Sequence, residues 1–186
     1  MFKRLLLIPA VLSLAAGQNL LVNGDFEQPL TTGWTLTTGG SGYGATDRQT
    51  NYHPDPDYEA RDSLYSGPGC RRLAQRVSVS STWLDVSFWA KFEIGGGSST
   101  CWPVASVVVG YYDAVDAWLG ETRFYYHNEY CNWTSSGTMH LVEVTDPAWR
   151  QYSFNVSEEL AANLPGVDPD DVRRVEVALF DTTAGG

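Results

Sequence analysis

Positive charge is scarce in this sequence, and its scarcity excludes one large class of partners. Lysines and arginines number 12 against 22 aspartates and glutamates, which gives a formal charge of −10 and a pI near 4.6. Proteins that bind nucleic acid need a basic surface to meet the phosphates, so nucleic acid is not an expected partner. Disorder is excluded as well, because 43% of the residues are hydrophobic.

Long apolar runs are also missing. The most apolar stretch, residues 5–16, follows the positively charged Lys3 and Arg4 and is too short to span a bilayer. A positive start before a short apolar run is typical of a secretory signal peptide. The alternative is an N-terminal helix buried in the fold.

The end of this segment also fits export. Ala15 and Gly17 are small residues spaced for cleavage. We therefore predict that residues 1–17 are a signal peptide, that residues 18–186 form one mature domain, and that the protein is secreted with no membrane span.

Cysteines are few, and their odd number prevents complete pairing within one chain. Cys101 and Cys131 flank two predicted strands, so a disulfide between them would connect neighbouring loops of an exported protein. Cys70 is then the unpaired thiol. Two alternatives stay open: no disulfide forms, or the disulfide uses Cys70.

Motifs of catalysis are absent from the sequence. His53, His127 and His140 have neither H-E-x-x-H spacing nor a neighbouring cysteine cluster, and no G-x-S-x-G segment occurs. Carboxylates are plentiful, but the sequence does not give the distance between two of them that a glycosidase requires. We expect a protein that is not an enzyme, with a small hydrolase as one alternative.

Turn residues and aromatics are abundant, with 18 glycines, nine prolines and 13% aromatic residues. About ten short strand-like runs lie between turns, beginning with 20–26, and Ser157 is the expected N-cap of one short helix. The clearest run is 83–94, whose residues alternate with period two. One face carries Leu84, Val86, Phe88, Ala90, Phe92 and Ile94. The pattern predicts an all-β fold of two antiparallel sheets, a β-sandwich or jelly roll.

Several segments resemble jelly-roll carbohydrate-binding modules of the galactose-binding-like superfamily. They are the opening NLLVNGDFEQPLTTGW, the strand pair LAQRVSVSSTWLDVSFWAKF, and the later DPAWRQYSFNV and VRRVEVALFD. The likeness covers most of residues 19–181. In the opening, the matching residues are Asn23, Gly24, Phe26, Glu27, Gly33 and Trp34. The resemblance implies the jelly-roll fold and sugar binding without catalysis.

One departure concerns the end of the chain. The family usually adds a further strand, and this sequence stops at DTTAGG, where that strand would begin. Two alternatives stay open: the sequence is a fragment of a jelly roll that continues with this strand, or the protein completes its sheet in another way. An unpaired sheet edge favours aggregation or the addition of a strand from a partner.

The resemblance also implies a structural calcium ion. Glu27 matches the family's ligand on the first strand, whereas the second ligand would belong to the missing strand. Asp25 is a further oxygen donor chosen for its chemistry, since calcium prefers carboxylate and carbonyl oxygens. The alternative is that both are capping or solvated carboxylates.

Aromatic residues on polar strand faces are candidates for sugar stacking, because a pyranose has an apolar face and a rim of hydroxyls. Trp89 lies on the polar face of the run 83–94 with Asp85 and Lys91. Tyr112 and Tyr125 lie on the less apolar faces of their strands, and Trp118 lies in a turn. For each ring the alternative is ordinary packing.

These observations predict a secreted, non-catalytic domain that recognises a glycan or polysaccharide by aromatic stacking. Its further partner would be a parent enzyme or a surface assembly. The alternative is a structural or adhesive extracellular β-sandwich without a sugar site. A Trp89 that is covered by a loop or by another sheet would favour that alternative.

Overall fold

The computed structural model describes residues 4–14, 19–50, 57–99 and 102–183, and only the backbone of residues 4–14. This part of the chain is mostly β-structure, with eleven strands and one short helix. In chain order they are β1 Arg4–Leu14, β2 Thr35–Gly40, β3 Tyr43–Gln49, β4 Glu59–Ser66, β5 Gly69–Ser78, β6 Leu84–Glu93, β7 Pro103–Tyr112, β8 Trp118–His127, β9 Met139–Glu143, β10 Arg150–Asn155, α1 Val156–Asn163 and β11 Arg174–Thr183. The expected all-β class is confirmed.

The main sheet has six strands in the order β2-β5-β11-β7-β8-β9. Its neighbours pair antiparallel except β8 and β9, which run parallel, so the sheet is mixed. The expectation of purely antiparallel sheets is wrong at this pair. The reason is that the chain between β8 and β9 crosses back before it pairs, instead of forming a hairpin.

The other five strands pair antiparallel in the order β10-β6-β1-β4-β3. The alternating pattern predicted for 83–94 is confirmed in β6. Every second side chain, from Leu84 to Phe92, is at most 1% exposed, whereas Trp89 on the other face is 39% exposed. The predicted face therefore does turn toward the interior.

Both sets of strands contribute to one hydrophobic core. The rings of Phe88 on β6 and Phe124 on β8 meet edge to face with centroids 5.3 Å apart. Tyr152 on β10 stacks on Phe88 at 5.3 Å and contacts Phe124 at 5.1 Å. Each buried aromatic stabilises the fold by about 1.5–3 kcal/mol.

The segment 20–26, expected as a strand, is a compact turn. Asn23 and Phe26 have positive φ angles of 51° and 59°, which an extended strand does not allow. The Asn23 side chain accepts from the backbone N–H of Gln28 at 2.8 Å, and the backbone carbonyl of Asn23 accepts from the indole N–H of Trp34 at 3.0 Å. Phe26 is fully buried against Trp34. The Asn-Gly pair therefore makes a structural turn and not the middle of a strand.

The single helix among the described residues begins directly after β10. Its N-cap is Asn155, whose side chain accepts from the backbone N–H of Glu158, and not the expected Ser157. Ser157 instead shares a hydrogen bond of 2.9 Å with the hydroxyl of Thr82. Glu159 accepts from Thr122 on β8 at 2.8 Å, which fastens the helix to the main sheet. Within the described ranges, no helix has the length and apolar character needed to cross a bilayer.

β1 lies inside the segment predicted as the signal peptide. It pairs with β6 on one side and with β4 on the other. Cleavage of the leader stays a prediction.

Candidate functional site

An open cleft of about 450 Å³ lies on the outer face of the main sheet, across β2, β5, β11 and β7. Strand alternation builds it, because Leu73 on β5 faces the core while its neighbours Arg72 and Ala74 face outward. We call this feature the Tyr112 cleft; it is lined by Thr35, Thr37, Arg72, Ala74, Arg76, Tyr112 and Glu176.

Glu176 on β11 is the floor of the cleft and is only 6% exposed. Its Oε1 accepts from Arg72 Nε at 3.1 Å, and its Oε2 accepts from Arg76 Nε and Nη2 at 3.1 and 2.9 Å. Burial by itself would raise the pKa of Glu176, but the two guanidinium groups outweigh it and lower the pKa. The carboxylate is therefore held ionised.

Tyr112 lies flat beside this carboxylate because the residue below it is a glycine. A Cβ on Gly110 would fall 2.9 Å from the ring carbon Cε2 of Tyr112. The Tyr112 hydroxyl donates to Glu176 Oε1 at 3.2 Å, and the Arg76 guanidinium stacks on the ring at 3.4 Å from its centroid. Burial, followed by the charge of Glu176, raises the pKa of Tyr112.

Trp118 begins β8 directly opposite Tyr112 in the ladder. The register of the ladder shifts between Tyr111 and Tyr112, as at a β-bulge, and Trp118 is not one of the side chains that line the cleft. The side chain is 46% exposed. An accessible flat ring therefore lies on the strand next to Tyr112.

A tight turn between β7 and β8 fixes the same edge. Asp113 Oδ1 accepts from the backbone N–H groups of Val115 and Ala117, both at 2.8 Å. Asp116 in this turn accepts from Arg76 Nη1 at 2.8 Å and forms an ion pair with Arg174. Those hydrogen bonds, from Arg174 first and then Arg76, lower the pKa of Asp116.

A second cleft, of about 370 Å³, lies further along the same face beside Arg123, Asn132, Trp133, Thr134 and Met139. The Arg123 guanidinium lies 4.6 Å from the ring centroid of Trp133 and 5.2 Å from that of Phe180. Arg72 lies over the same Phe180 ring at 5.6 Å. Phe180 therefore connects the two clefts along one aromatic and cationic surface.

Tyr125 is part of this second region and is largely covered. It is 8% exposed, stacks on His127 at 4.8 Å and lies 5.9 Å from the Trp133 ring. Its ring therefore supports Trp133 and offers little free surface of its own.

The remaining predicted sugar residues lie on the other set of strands. Trp89, Asp85 and Lys91 share the outer face of β6 with Ser87. Asn155 donates to Asp85 at 3.0 Å, and Lys91 forms an ion pair with Glu93 at 2.5 Å. We call this surface the indole face; its members are Trp83, Asp85, Ser87, Trp89 and Lys91. The structure thus brings Tyr112 and Trp118 together and places Trp89, Asp85 and Lys91 elsewhere.

The predicted calcium ligands have protein partners. Glu27 Oε1 accepts from the backbone N–H of Tyr58 at 2.9 Å, and Asp25 Oδ1 accepts from that of Glu27 at 3.4 Å. In the described part of the chain, no three His, Cys, Asp or Glu side chains come together as a metal site. Calcium binding stays a prediction.

The structure describes only one cysteine of the predicted disulfide. Cys131 is a buried free thiol, and Cys70 is also free, while Cys101 lies outside the described residues. Cys131 packs in a small cluster with Val104 and Tyr125, which Trp102 and Trp133 adjoin. Its pairing with Cys101 therefore stays a prediction.

The charged residues of the Tyr112 cleft were not predicted from the sequence. The alternation of Leu73, Gln75 and Val77 on β5 leaves Arg72 and Arg76 on the opposite face, and Glu176 alternates with core valines on β11 in the same way. That signal was present in the sequence. Their meeting depends on β5 and β11 being neighbours, which residues about a hundred positions apart do not reveal.

Comparison with known proteins gives little guidance. No family model and no curated protein matches the chain. Among solved structures it is similar to the enzymatically active domain of tailspike protein 4 from bacteriophage CBA120, with a TM-score of 0.36 and 13% identity. The match covers 88% of this chain and 19% of that one. A likeness at this level assigns no family.

Proposed function

We propose that this chain is a secreted, non-catalytic carbohydrate-binding domain, a jelly roll of the galactose-binding-like kind, with the Tyr112 cleft as its sugar site. The observation that carries the proposal is an exposed indole, Trp118, which is paired across the ladder with Tyr112 of a cleft whose hydrogen-bonding groups are already fixed. The N-terminal motif of the resemblance supports the fold, because its Asn23, Phe26 and Trp34 are the residues that build the first turn.

The chemistry of the cleft suits a pyranose. The Trp118 ring offers an apolar plane for one face of the sugar. Arg72 and Arg76 offer N–H donors for the hydroxyl rim, while both oxygens of Glu176 already accept from these arginines and Tyr112. Hydrogen bonds to charged groups are stronger than neutral ones, so a few of them suffice to orient a ring.

The side chains of the cleft are also held in place in the absence of a ligand. Arg76 is held at once by Glu176, Asp116 and the Tyr112 ring. Side chains that are already ordered lose little conformational entropy on binding. We expect dissociation constants between about 1 µM and 1 mM, equivalent to roughly −8 to −4 kcal/mol.

The carboxylates favour binding over cleavage. Glycosidases need two carboxyl groups at a defined separation, one of which is protonated. Glu176 and Asp116 flank Arg76, and the pKa values of both are lowered. Neither group is suited to deliver a proton to a leaving sugar oxygen.

Isothermal titration and affinity gel electrophoresis against soluble cell-wall polysaccharides test the proposal. Removal of the indole in Trp118→Ala should weaken binding about tenfold, equivalent to about 1.4 kcal/mol. Trp83→Ala is the matched control, because that indole is 56% exposed on the opposite surface. The control should bind as the natural protein does.

Two results would contradict the proposal. Folded protein that binds nothing across a broad glycan panel would favour the structural or adhesive alternative. Binding that survives Trp118→Ala and disappears in Trp83→Ala would move the sugar site to the indole face.

A further inference from the structure

β1 occupies an internal position in the five-stranded sheet. It pairs with β6 from Arg4 opposite Glu93 to Leu14 opposite Leu84, and its other edge pairs with β4. The far edge of β6 pairs with β10, and the far edge of β4 pairs with β3. The backbone hydrogen bonds of two strands therefore depend on what lies between them.

This position conflicts with export. Cleavage after Gly17 would remove the whole of β1 and leave β4 and β6 facing each other across a gap about 10 Å wide, the width of one strand. Two unpaired edges and the core side chains between them would meet water. Such an edge readily accepts an extended peptide.

The leader itself fits the position poorly. The register with β6 shifts between Ile8 and Val11, so that Pro9 and Ala10 together stand opposite one residue, as in a β-bulge. Proline has no N–H to donate and is avoided in central strands. On the other edge, β1 pairs with three of the eight residues of β4. A proline-free strand would complete both ladders.

The neighbouring strands define what such a strand must contain. Positions opposite Ala90 and Val86 must be apolar, because these side chains are at most 1% exposed and face the core. The position now held by Leu5 also stands opposite Asp62, which is fully buried. Asp62 Oδ2 has no hydrogen-bond partner among the described residues. A hydroxyl-bearing side chain at the position of Leu5 would therefore have Asp62 Oδ2 as its hydrogen-bond partner.

We propose that the gap between β4 and β6 is a strand-acceptor site in the exported protein. Its occupant is an extended, proline-free segment of a second polypeptide, antiparallel to both strands, with apolar residues at alternate positions and threonine opposite Asp62. The leader fills the site before cleavage. The inference rests on the predicted cleavage and not on the proposed sugar site, which lies on the other sheet.

The test uses the full chain and its naturally exported product, with synthetic peptides of the sequence 4–14 as probes. The first peptide carries the natural sequence, and the second carries Pro9→Val with Leu5→Thr. The control peptides carry Pro9→Val with Leu7→Asp, which puts a charge opposite Ala90, or with Leu6→Thr, which puts the same hydroxyl on the outer face. Thermal unfolding and native mass spectrometry are the readouts.

We expect the exported product to melt below the full chain and to form a one-to-one complex with the second peptide. That peptide should bind at least tenfold more tightly than the natural sequence and the Leu6→Thr control, and the Leu7→Asp peptide should not bind. If the exported product does not stay folded, recovery of soluble monomer on refolding with each peptide replaces the melting curve.

Several outcomes would overturn the inference. One is an exported product that still contains residues 4–14, and another is one that melts with the full chain and ignores every peptide. A dimer of the exported product that excludes the peptides would assign the gap to a second copy of this protein. Glycan titration of the same samples reports separately on the Tyr112 cleft.

Discussion

The two outer surfaces of the molecule carry similar residue types, but their carboxylates differ in burial and in the number of hydrogen-bond partners. In the Tyr112 cleft, Glu176 is 6% exposed and bound by two arginines and a tyrosine. On the indole face, Asp85 is exposed and meets a single amide, that of Asn155. Aromatic rings beside polar groups therefore do not by themselves distinguish an ordered site from an open surface.

The difference lies in how many partners each polar group has after burial. Removal of a charge that several neighbours bind in a partly buried site lowers the free energy of unfolding strongly, because its partners lose their counter-charge. A solvent-exposed pair contributes less than about 1 kcal/mol. The cleft and the indole face should consequently respond very differently to equivalent substitutions.

The largest effect is expected from Glu176→Gln. The substitution keeps the shape of the side chain and leaves Arg72 and Arg76 without their shared counter-charge. Since these arginines remain 23% and 29% exposed, we expect a loss of about 2–3 kcal/mol in the free energy of unfolding, below the value for a fully buried pair. Urea denaturation measures it.

Asp85→Asn on the indole face is the matched control and should change stability by less than about 0.5 kcal/mol. Equal losses in the two variants would remove the distinction drawn between the surfaces.

The next effect concerns the glycine below Tyr112. Gly110→Ala places a methyl group 2.9 Å from the ring and forces it out of contact with Glu176. Overpacking of this kind destabilises by about 1–3 kcal/mol. Denaturation and glycan titration should both show the change.

Gly137→Ala is the control, because its nearest neighbour would lie at 3.6 Å. If Gly110→Ala bound sugar and unfolded as the natural protein does, a flat Tyr112 would not be required for the site.

The two sheets should also differ in the sign of their pH dependence. The pKa of Glu176 is lowered, so its contribution to stability is present above its ordinary pKa of 4.5 and is lost as the pH falls through the folded value. Burial raises the pKa of Asp62 on β4, against the hydrogen bonds from Thr46 and Arg71. Its contribution is present below its ordinary pKa of 3.8 and is lost as the pH rises.

Unfolding free energies measured from pH 3 to 7 should therefore separate the two groups. Glu176→Gln should flatten the decline on the acid side, and Asp62→Asn should flatten the decline above pH 3.8. If either variant showed the same pH dependence of its unfolding free energy as the natural protein, other carboxylates would cause the loss of stability in that pH range.

Local patterns in the sequence predicted what depends on local structure. The alternation of 83–94 needs only the period of a strand, and it located both the core face of β6 and the exposed Trp89. Turn chemistry was harder, since the apolar letters of 20–26 suggested a strand while Asn23 and Phe26 require positive φ angles.

Strand order was the part that the sequence did not contain. Glu176 and Arg72 hydrogen-bond across 104 positions of sequence, and only the pairing of β5 with β11 brings them together. The same holds for Arg4–Leu14, whose apolar letters indicate a leader and whose pairing partners lie in β4 and β6. Side-chain period fixes the face of a residue, but neighbours in a sheet are set by the whole topology.

The smallest effect is expected on the indole face itself. In the double variant Trp83→Ala with Trp89→Ala, two indoles that are 56% and 39% exposed are removed without opening a cavity in the core. Each substitution should change the free energy of unfolding by less than about 0.5 kcal/mol, and affinity for soluble glycans should stay within about twofold. Titration with the same polysaccharides that bind the Tyr112 cleft measures this. A different result would be loss of glycan binding in the double variant while Trp118→Ala still weakens binding about tenfold. Both surfaces would then bind the same polysaccharide, because an extended polysaccharide can reach both of them only by passing around the edge of the fold.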